Sequence, residues 1–274
     1  MENCTVIAVA NQKGGVGKTT TTFNLGVGLV RAGERVLLID ADPQGSLSIS
    51  MGFKRPDQLP FTLPDALKCI CRGELIPWGT GILHHPDGID LLPSNIELSA
   101  MEVSMVNVMS RETILKRYID QVKGEYTKVL IDCPPSLNLL TINCLAAADR
   151  VLIPVQSEYL PIKGLEQLIG TIKSVRRIIN PQIVIEGVVL TMVNPRTIFC
   201  RETSEAVRKS FGSKITVFNA DIPHSVRAKE CCAEGVSIFT YDPDGKVAAA
   251  YEKLAREVMV VEKQREKDGA SLNG

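Results

Sequence analysis

Ala8-Val9-Ala10-Asn11-Gln12-Lys13-Gly14-Gly15-Val16-Gly17-Lys18-Thr19-Thr20 is the stretch that decides the fold. An apolar run enters a glycine-rich turn, and a helical pattern, Lys18–Arg31, follows. Glycines let successive backbone N–H groups point inward around a phosphate, and the helix N-terminus adds partial positive charge at the same place. Gly14, Gly15, Val16, Gly17, Lys18, Thr19 and Thr20 are therefore candidate nucleotide-binding residues. Lys18 supplies a point charge to the β- and γ-phosphates, and the Thr19 hydroxyl a ligand to Mg²⁺. The usual phosphate loop has glycine where this chain has Gln12, and a second lysine, Lys13, opens the turn. Phosphoryl transfer concentrates negative charge on the γ-phosphate oxygens, so an extra cation is useful there. A Lys13 pointing away from its own loop reaches a nucleotide held by a second copy of the chain.

Outward from this loop, short β-branched runs alternate with helix-length segments. The strand candidates are Thr5–Ala10, Arg35–Asp40, Ile89–Leu92, Lys128–Asp132, Arg150–Val155, Ile183–Val193 and Ile215–Phe218. Several are apolar almost throughout, as strands covered on both faces are. The helical patterns are Lys18–Arg31, Ser99–Val122, Ser136–Ala147, Gly164–Ile179, Arg201–Phe211 and Val247–Val261, with a short helix near Leu63–Cys71. The alternation predicts an α/β fold: a doubly wound, mainly parallel sheet flanked by helices. One domain is expected over 1–262, followed by a polar, frayed tail over 263–274.

Two strands end in acids. Leu37-Leu38-Ile39-Asp40-Ala41-Asp42 carries two carboxylates and Val129-Leu130-Ile131-Asp132 one. Ligands of open parallel sheets gather beyond the carboxyl ends of the strands. These acids thus converge on the phosphate loop. Asp40 and Asp132, with Thr19, form a hard oxygen set for Mg²⁺, and Asp42, further out, is placed to orient an attacking water.

The composition excludes other classes. The 274 residues carry 31 Lys+Arg and 31 Asp+Glu, so the chain is not globally basic, and 45% hydrophobic content excludes a disordered chain. No window approaches a membrane-spanning run. The N-terminus carries no secretory signal, and the eight cysteines form no Cys-x-x-Cys pair, so a cytosolic location is expected. Adjacent Cys231 and Cys232 read as packing, and adjacent His84 and His85 lie in a loop-like stretch without a further metal ligand.

Lys13-Gly14-Gly15-Val16-Gly17-Lys18-Thr19-Thr20 resembles the deviant Walker A motif of the ParA/MinD ATPases. Asp40-Ala41-Asp42-Pro43-Gln44-Gly45 resembles their switch I segment, and Ile131-Asp132-Cys133-Pro134-Pro135 their Walker B strand. Leu190–Thr197, Ile222–Arg227 and Tyr241-Asp242-Pro243 also fit the pattern, which runs from about residue 3 to 262. The chain is most similar to the short ParA/Soj type of chromosome and plasmid partition. This resemblance implies an ATPase that forms an ATP- and Mg²⁺-dependent homodimer. Lys13 is then the signature lysine crossing to the partner's phosphates, with Lys18 and Asp42 completing the catalytic set. Asn194 and Pro223 would lie against adenine. The ATP dimer would bind double-stranded DNA without sequence preference in the nucleoid-associated cytoplasm, and a ParB-like activator would stimulate slow hydrolysis.

DNA affinity needs clustered cations. Residues 163–230 hold 11 Lys+Arg against 6 Asp+Glu, a surplus of +5 offset by the rest of the chain. Arg196, Arg227 and Lys229 are the candidate DNA contacts. The family pattern departs at His224, where arginine is usual, and at Lys229-Glu230-Cys231-Cys232. A ParA-like ATPase positioning a protein cargo on the nucleoid is the alternative. A MinD-like membrane role is not expected, because Glu262–Asp268 lacks bulky apolar residues. The chain starts directly at its first strand, so no helix-turn-helix domain is expected before it.

Overall fold

The computed structural model describes residues 4–157 and 161–271. The chain runs β1 Thr5–Val9, α1 Lys18–Arg31, β2 Val36–Asp40, α2 Ser46–Ser50, α3 Leu63–Cys71, β3 Leu83–His85, β4 Ile89–Leu92, α4 Glu97–Met105 and α5 Ile114–Val122. It continues with β5 Lys128–Asp132, α6 Leu139–Ala147, β6 Arg150–Gln156, α7 Pro161–Ile178, β7 Val184–Thr191, α8 Ile198–Phe211, α9 Arg227–Glu234, α10 Ile238–Tyr241 and α11 Lys246–Ser271. The strands form one sheet in the order β3-β4-β2-β5-β1-β6-β7, parallel except for β3. The chain leaves β1 for β2 on one side and later fills β6 and β7 on the other. The carboxyl end of β1 is thus a topological switch point, where such sheets open a ligand crevice.

Burial explains the continuous apolar strands. Every residue of β1, β2 and β5 is buried, because helices cover both faces. One layer packs Tyr118, Leu115, Leu140 and Leu145 under α5 and α6. The other packs Phe23 and Leu25 of α1 against Tyr251, Leu254 and Val258 of α11.

Four expectations are corrected. The single helix over Ser99–Val122 is two, α4 and α5, broken at Ser110, whose φ of 55° is left-handed. A continuous helix would put Met109 on the buried face of Met105, yet Met109 is 90% exposed. The chain instead turns out, and the Arg111 guanidinium donates to Val106 O to close the turn. Ile215–Phe218 is no strand. It pairs with β7 at an isolated bridge, Val188 to Val217, and the Phe218 ring fills the space that a Gly187 side chain would need. His84 and His85 lie in the antiparallel edge strand β3, not a loop. His85 is buried, edge-on to Phe23 at 5.4 Å, with Nε2 at 3.0 Å from Gly235 O. Finally, the last helix continues past Val261. Its Glu262 is buried against Lys128 Nζ at 2.9 Å, and Arg265 donates to Ile185 O at 2.9 Å. Arg265 is therefore docked on β7, and the helix continues to Ser271.

One contact between helices leaves no room for side chains. Gly52 after α2 and Gly235 after α9 both have positive φ, 89° and 76°. A Cβ on Gly235 would stand 2.5 Å from Gly52 Cα. Gly235→Ala is expected to cost at least about 2 kcal/mol, since left-handed strain and a backbone clash add. A urea unfolding midpoint equal to wild type would disprove the close approach.

Candidate nucleotide site

β1 ends at Val9, and the next eight residues form a loop, exposed at Lys13, Gly14 and Gly15, that enters α1 through Gly17, whose φ of 84° no L-residue adopts without strain. Two side chains shape this loop. Asn11 Nδ2 donates to Pro154 O at 2.6 Å, while Asn11 Oδ1 accepts from Lys13 N at 3.0 Å. Thr191 Oγ1 donates to Val16 O at 2.8 Å, tying the loop to the end of β7. Above Gly14 and Gly15 no atom lies within 4 Å of where a Cβ would stand, so the cradle is open.

The strand ends carry the acids to this cradle. Asp40 and Asp132 are register partners on β2 and β5, both fully buried. Thr19 Oγ1 donates to Asp132 Oδ2 at 2.7 Å, and Thr22 Oγ1 stands 3.4 Å from Asp132 Oδ1. Burial, and then the neighbouring Asp40 carboxylate, push Asp132 up to about 8. Burial likewise lifts Asp40 to about 6, against the hydrogen bonds that favour its ionised form. Those bonds are three: Ser48 N and Ser48 Oγ donate to Oδ2, both at 2.8 Å, and Asp42 N to Oδ1 at 3.2 Å. Asp40 thus fastens the start of α2. Lys18 is mostly buried, and desolvation lowers its pKa; its Nζ donates to Lys13 O at 3.3 Å. Two buried acids, both with raised pKa, beside a threonine hydroxyl are a donor set suited to a hard divalent cation, and an open glycine cradle suits phosphate oxygens.

The other candidates are placed as follows. Lys13 is exposed, its backbone N–H donating to Asn11 Oδ1 and its carbonyl accepting from Lys18 Nζ. Asp42 is half-buried, its Oδ1 accepting from Gln44 N at 3.0 Å. Thr20 and Pro223 line one small cavity of about 60 Å³ beside Gly17, with His224, Lys229 and Tyr251. Asn194 does not line it; its Oδ1 accepts from Arg196 N at 3.2 Å and shapes its own loop. Arg196 is exposed and makes no ion pair among the described residues. Arg227 is paired with Asp242, and Lys229 faces the cavity beside the loop. Asn11, Thr191 and Ser48 escaped the sequence reading. Each acts across the fold, and only Asn11, adjoining the loop, carried a local signal.

The AAA domain family matches residues 4–185. The chain is 43% identical to the chromosome partitioning protein ParA of Caulobacter vibrioides over 267 residues, 97% of each chain. It is 43% identical to the sporulation initiation inhibitor protein Soj of Bacillus subtilis over 256 residues, 92% of this chain and 97% of Soj. Among solved structures it is similar to cobyrinic acid a,c-diamide synthase from Mycobacterium smegmatis with bound ATP analog and magnesium. That similarity has a TM-score of 0.79 and 35% identity over 93% of each chain. The glycine cradle and its acids lie within a likeness that spans nearly the whole chain, and the chain belongs to the ParA/Soj family of partition ATPases.

Proposed function

We propose that this chain is a Mg²⁺-ATP-dependent, dimerising ATPase that binds double-stranded DNA without sequence preference and serves chromosome or plasmid partition with a ParB-like activator. The observation that carries the ATPase reading is the Thr19–Asp132 hydrogen bond of 2.7 Å beneath the open glycine cradle. Glycine amides of residues 14–17 and Lys18 hold the phosphates, and the α1 N-terminus adds its dipole. Thr19 and Asp132 would hold Mg²⁺, while Asp40 fixes α2 through Ser48. Bound Mg²⁺ neutralises charge developing on the transferring phosphoryl group. Asp42 orients the attacking water, and Pro223 packs on the base side of Gly17 and Thr20.

Lys13, exposed at the loop's start, reaches the phosphates held by a second copy, so the site is complete only in the dimer. Lys13→Ala is expected to abolish the ATP-dependent dimer and reduce turnover by roughly 10²-fold or more, read by light scattering and phosphate release. An ATP dimer with normal hydrolysis would refute the crossing role.

For DNA, Arg196 is a stronger contact than Arg227, because it makes no ion pair among the described residues while the charge of Arg227 is shared with Asp242. The test is DNA binding by the purified protein with ATP, ADP or no nucleotide across a salt series. Binding only with ATP, without sequence preference and falling steeply with salt, is expected. No binding in any state would end the DNA reading and leave the ATPase reading standing.

A further inference from the structure

At the opposite end of the parallel strands from the glycine loop, α7, the start of β7 and the turn after α8 enclose an open groove of about 560 Å³. Its floor is aliphatic. Ile169 and Ile172 of α7 are buried beneath it, and Ile185 and Ile215 are half-buried at its surface. Its rim is cationic: Lys173, Arg176 and Lys214 are exposed around it, and no Asp or Glu lines it. Among the described residues these three make no ion pair. The fourth cation, Arg265, is already engaged, donating to Ile185 O at 2.9 Å and pairing with Glu186 at 3.4 Å.

The sequence builds this surface deliberately in the geometric sense. Ile169, Ile172, Lys173 and Arg176 stand at helical spacing, so one face of α7 presents both aliphatic carbon and charge. Three uncompensated cations around one hollow repel each other, and an anion between them relieves that repulsion. A guanidinium such as that of Arg176 grips a phosphate or carboxylate through two parallel N–H donors. Half-buried isoleucines beside the charges gain by being covered with hydrocarbon. The volume lies in the range of small-molecule sites.

We propose that this groove binds a small amphiphilic anion, a phosphate or carboxylate head on an aliphatic chain. The head sits among Lys173, Arg176 and Lys214, and the chain lies over Ile185 and Ile215. A DNA duplex suits it less, because a sugar–phosphate backbone has no aliphatic stretch for the isoleucines and does not enter a hollow. The site is independent of the nucleotide reading, since it shares no residue with the glycine loop or the strand-end acids.

The test is titration calorimetry of the full chain with octyl phosphate, beside inorganic phosphate and octanol. Saturable one-to-one binding of octyl phosphate is expected, with each half-ligand weaker by at least about tenfold. Lys173→Glu/Arg176→Glu, on exposed helix positions, and separately Lys214→Glu, on the turn, are each expected to weaken it at least about tenfold. Both variants keep the wild-type melting temperature and ATP hydrolysis rate. Co-sedimentation with phosphatidylglycerol vesicles that the double variant loses would place the amphiphile in a membrane; octyl phosphate binding without it would place it in solution. Absence of saturable binding, inorganic phosphate binding as well as octyl phosphate, or unimpaired binding by the charge-reversed variants would overturn the proposal. So would loss of DNA binding in the double variant with no octyl phosphate bound to wild type, which would make the groove a nucleic-acid surface.

Discussion

Glu262→Ala is expected to destabilise the chain by about 3–5 kcal/mol, the usual cost of leaving a buried charge without its partner. Glu262 lies against Lys128 Nζ at 2.9 Å, with side chains only 7% and 8% exposed. Arg150 NH2 stands 4.0 Å from its other oxygen, and that oxygen has no hydrogen bond. Removing the carboxylate strands Lys128 on β5 and leaves Arg150 with Glu186 alone, at 3.0 Å. Because the geometry is imperfect, the pair's net worth is small, and the damage comes from breaking it. Glu262→Leu with Lys128→Met is therefore expected to recover most of the loss. Urea unfolding of the three proteins decides it. A single variant as stable as wild type would mean that water reaches Lys128 and that the last helix is held by its apolar face alone.

Asp42→Ala is expected to lower ATP hydrolysis by roughly 10²–10⁴-fold, the span usual for a lost proton acceptor or water-orienting group. ATP binding and dimerisation are expected to persist. The separation follows from placement. Asp42 follows the end of β2 and stands half-buried next to the Asp40 strand end, its carboxylate accepting from Gln44 N at 3.0 Å. Asp40, by contrast, accepts two bonds from Ser48 that hold α2 and one from Asp42 N, so its removal would disturb the fold. Single-turnover hydrolysis with a fluorescent-nucleotide binding assay distinguishes the outcomes. Lost nucleotide affinity with unchanged turnover of the bound fraction would assign Asp42 to binding and not to the water.

The sheet was legible where burial on both faces removes alternation. β1, β2, β4 and β5 were placed within a residue of their ends from apolar runs alone. The glycine loop was legible because its chemistry is local: thirteen consecutive residues carry strand, turn, cation and hydroxyl. What failed depended on distant parts of the chain. Ile215–Phe218 has a strand's composition, yet Gly187 admits the Phe218 ring and the segment passes beside β7. The break at Ser110 is set by which faces of α4 and α5 meet the sheet, which a continuous apolar rhythm hides. β3 was missed because two histidines resemble a turn, and His85 is buried by Phe23 and Gly235, both far from it along the chain. The tail was read as loose from its polar composition, whereas Glu262 and Arg265 find their counter-charges on three strands.

That same cluster has a consequence for synthesis. Lys128 and Arg150 emerge from the ribosome long before Glu262 does, roughly ten seconds at ordinary elongation rates. Until α11 arrives, the amino ends of β5 and β6 carry charges with no carboxylate from that helix, and Phe23 and Leu25 lack the cover of Tyr251 and Leu254. The nascent chain therefore holds a glycine loop and a largely complete strand set on a face still open to water. A chain terminated before residue 262 is therefore expected to lack the carboxylate that Lys128 meets in the folded state, and to be cut by protease faster than the full chain.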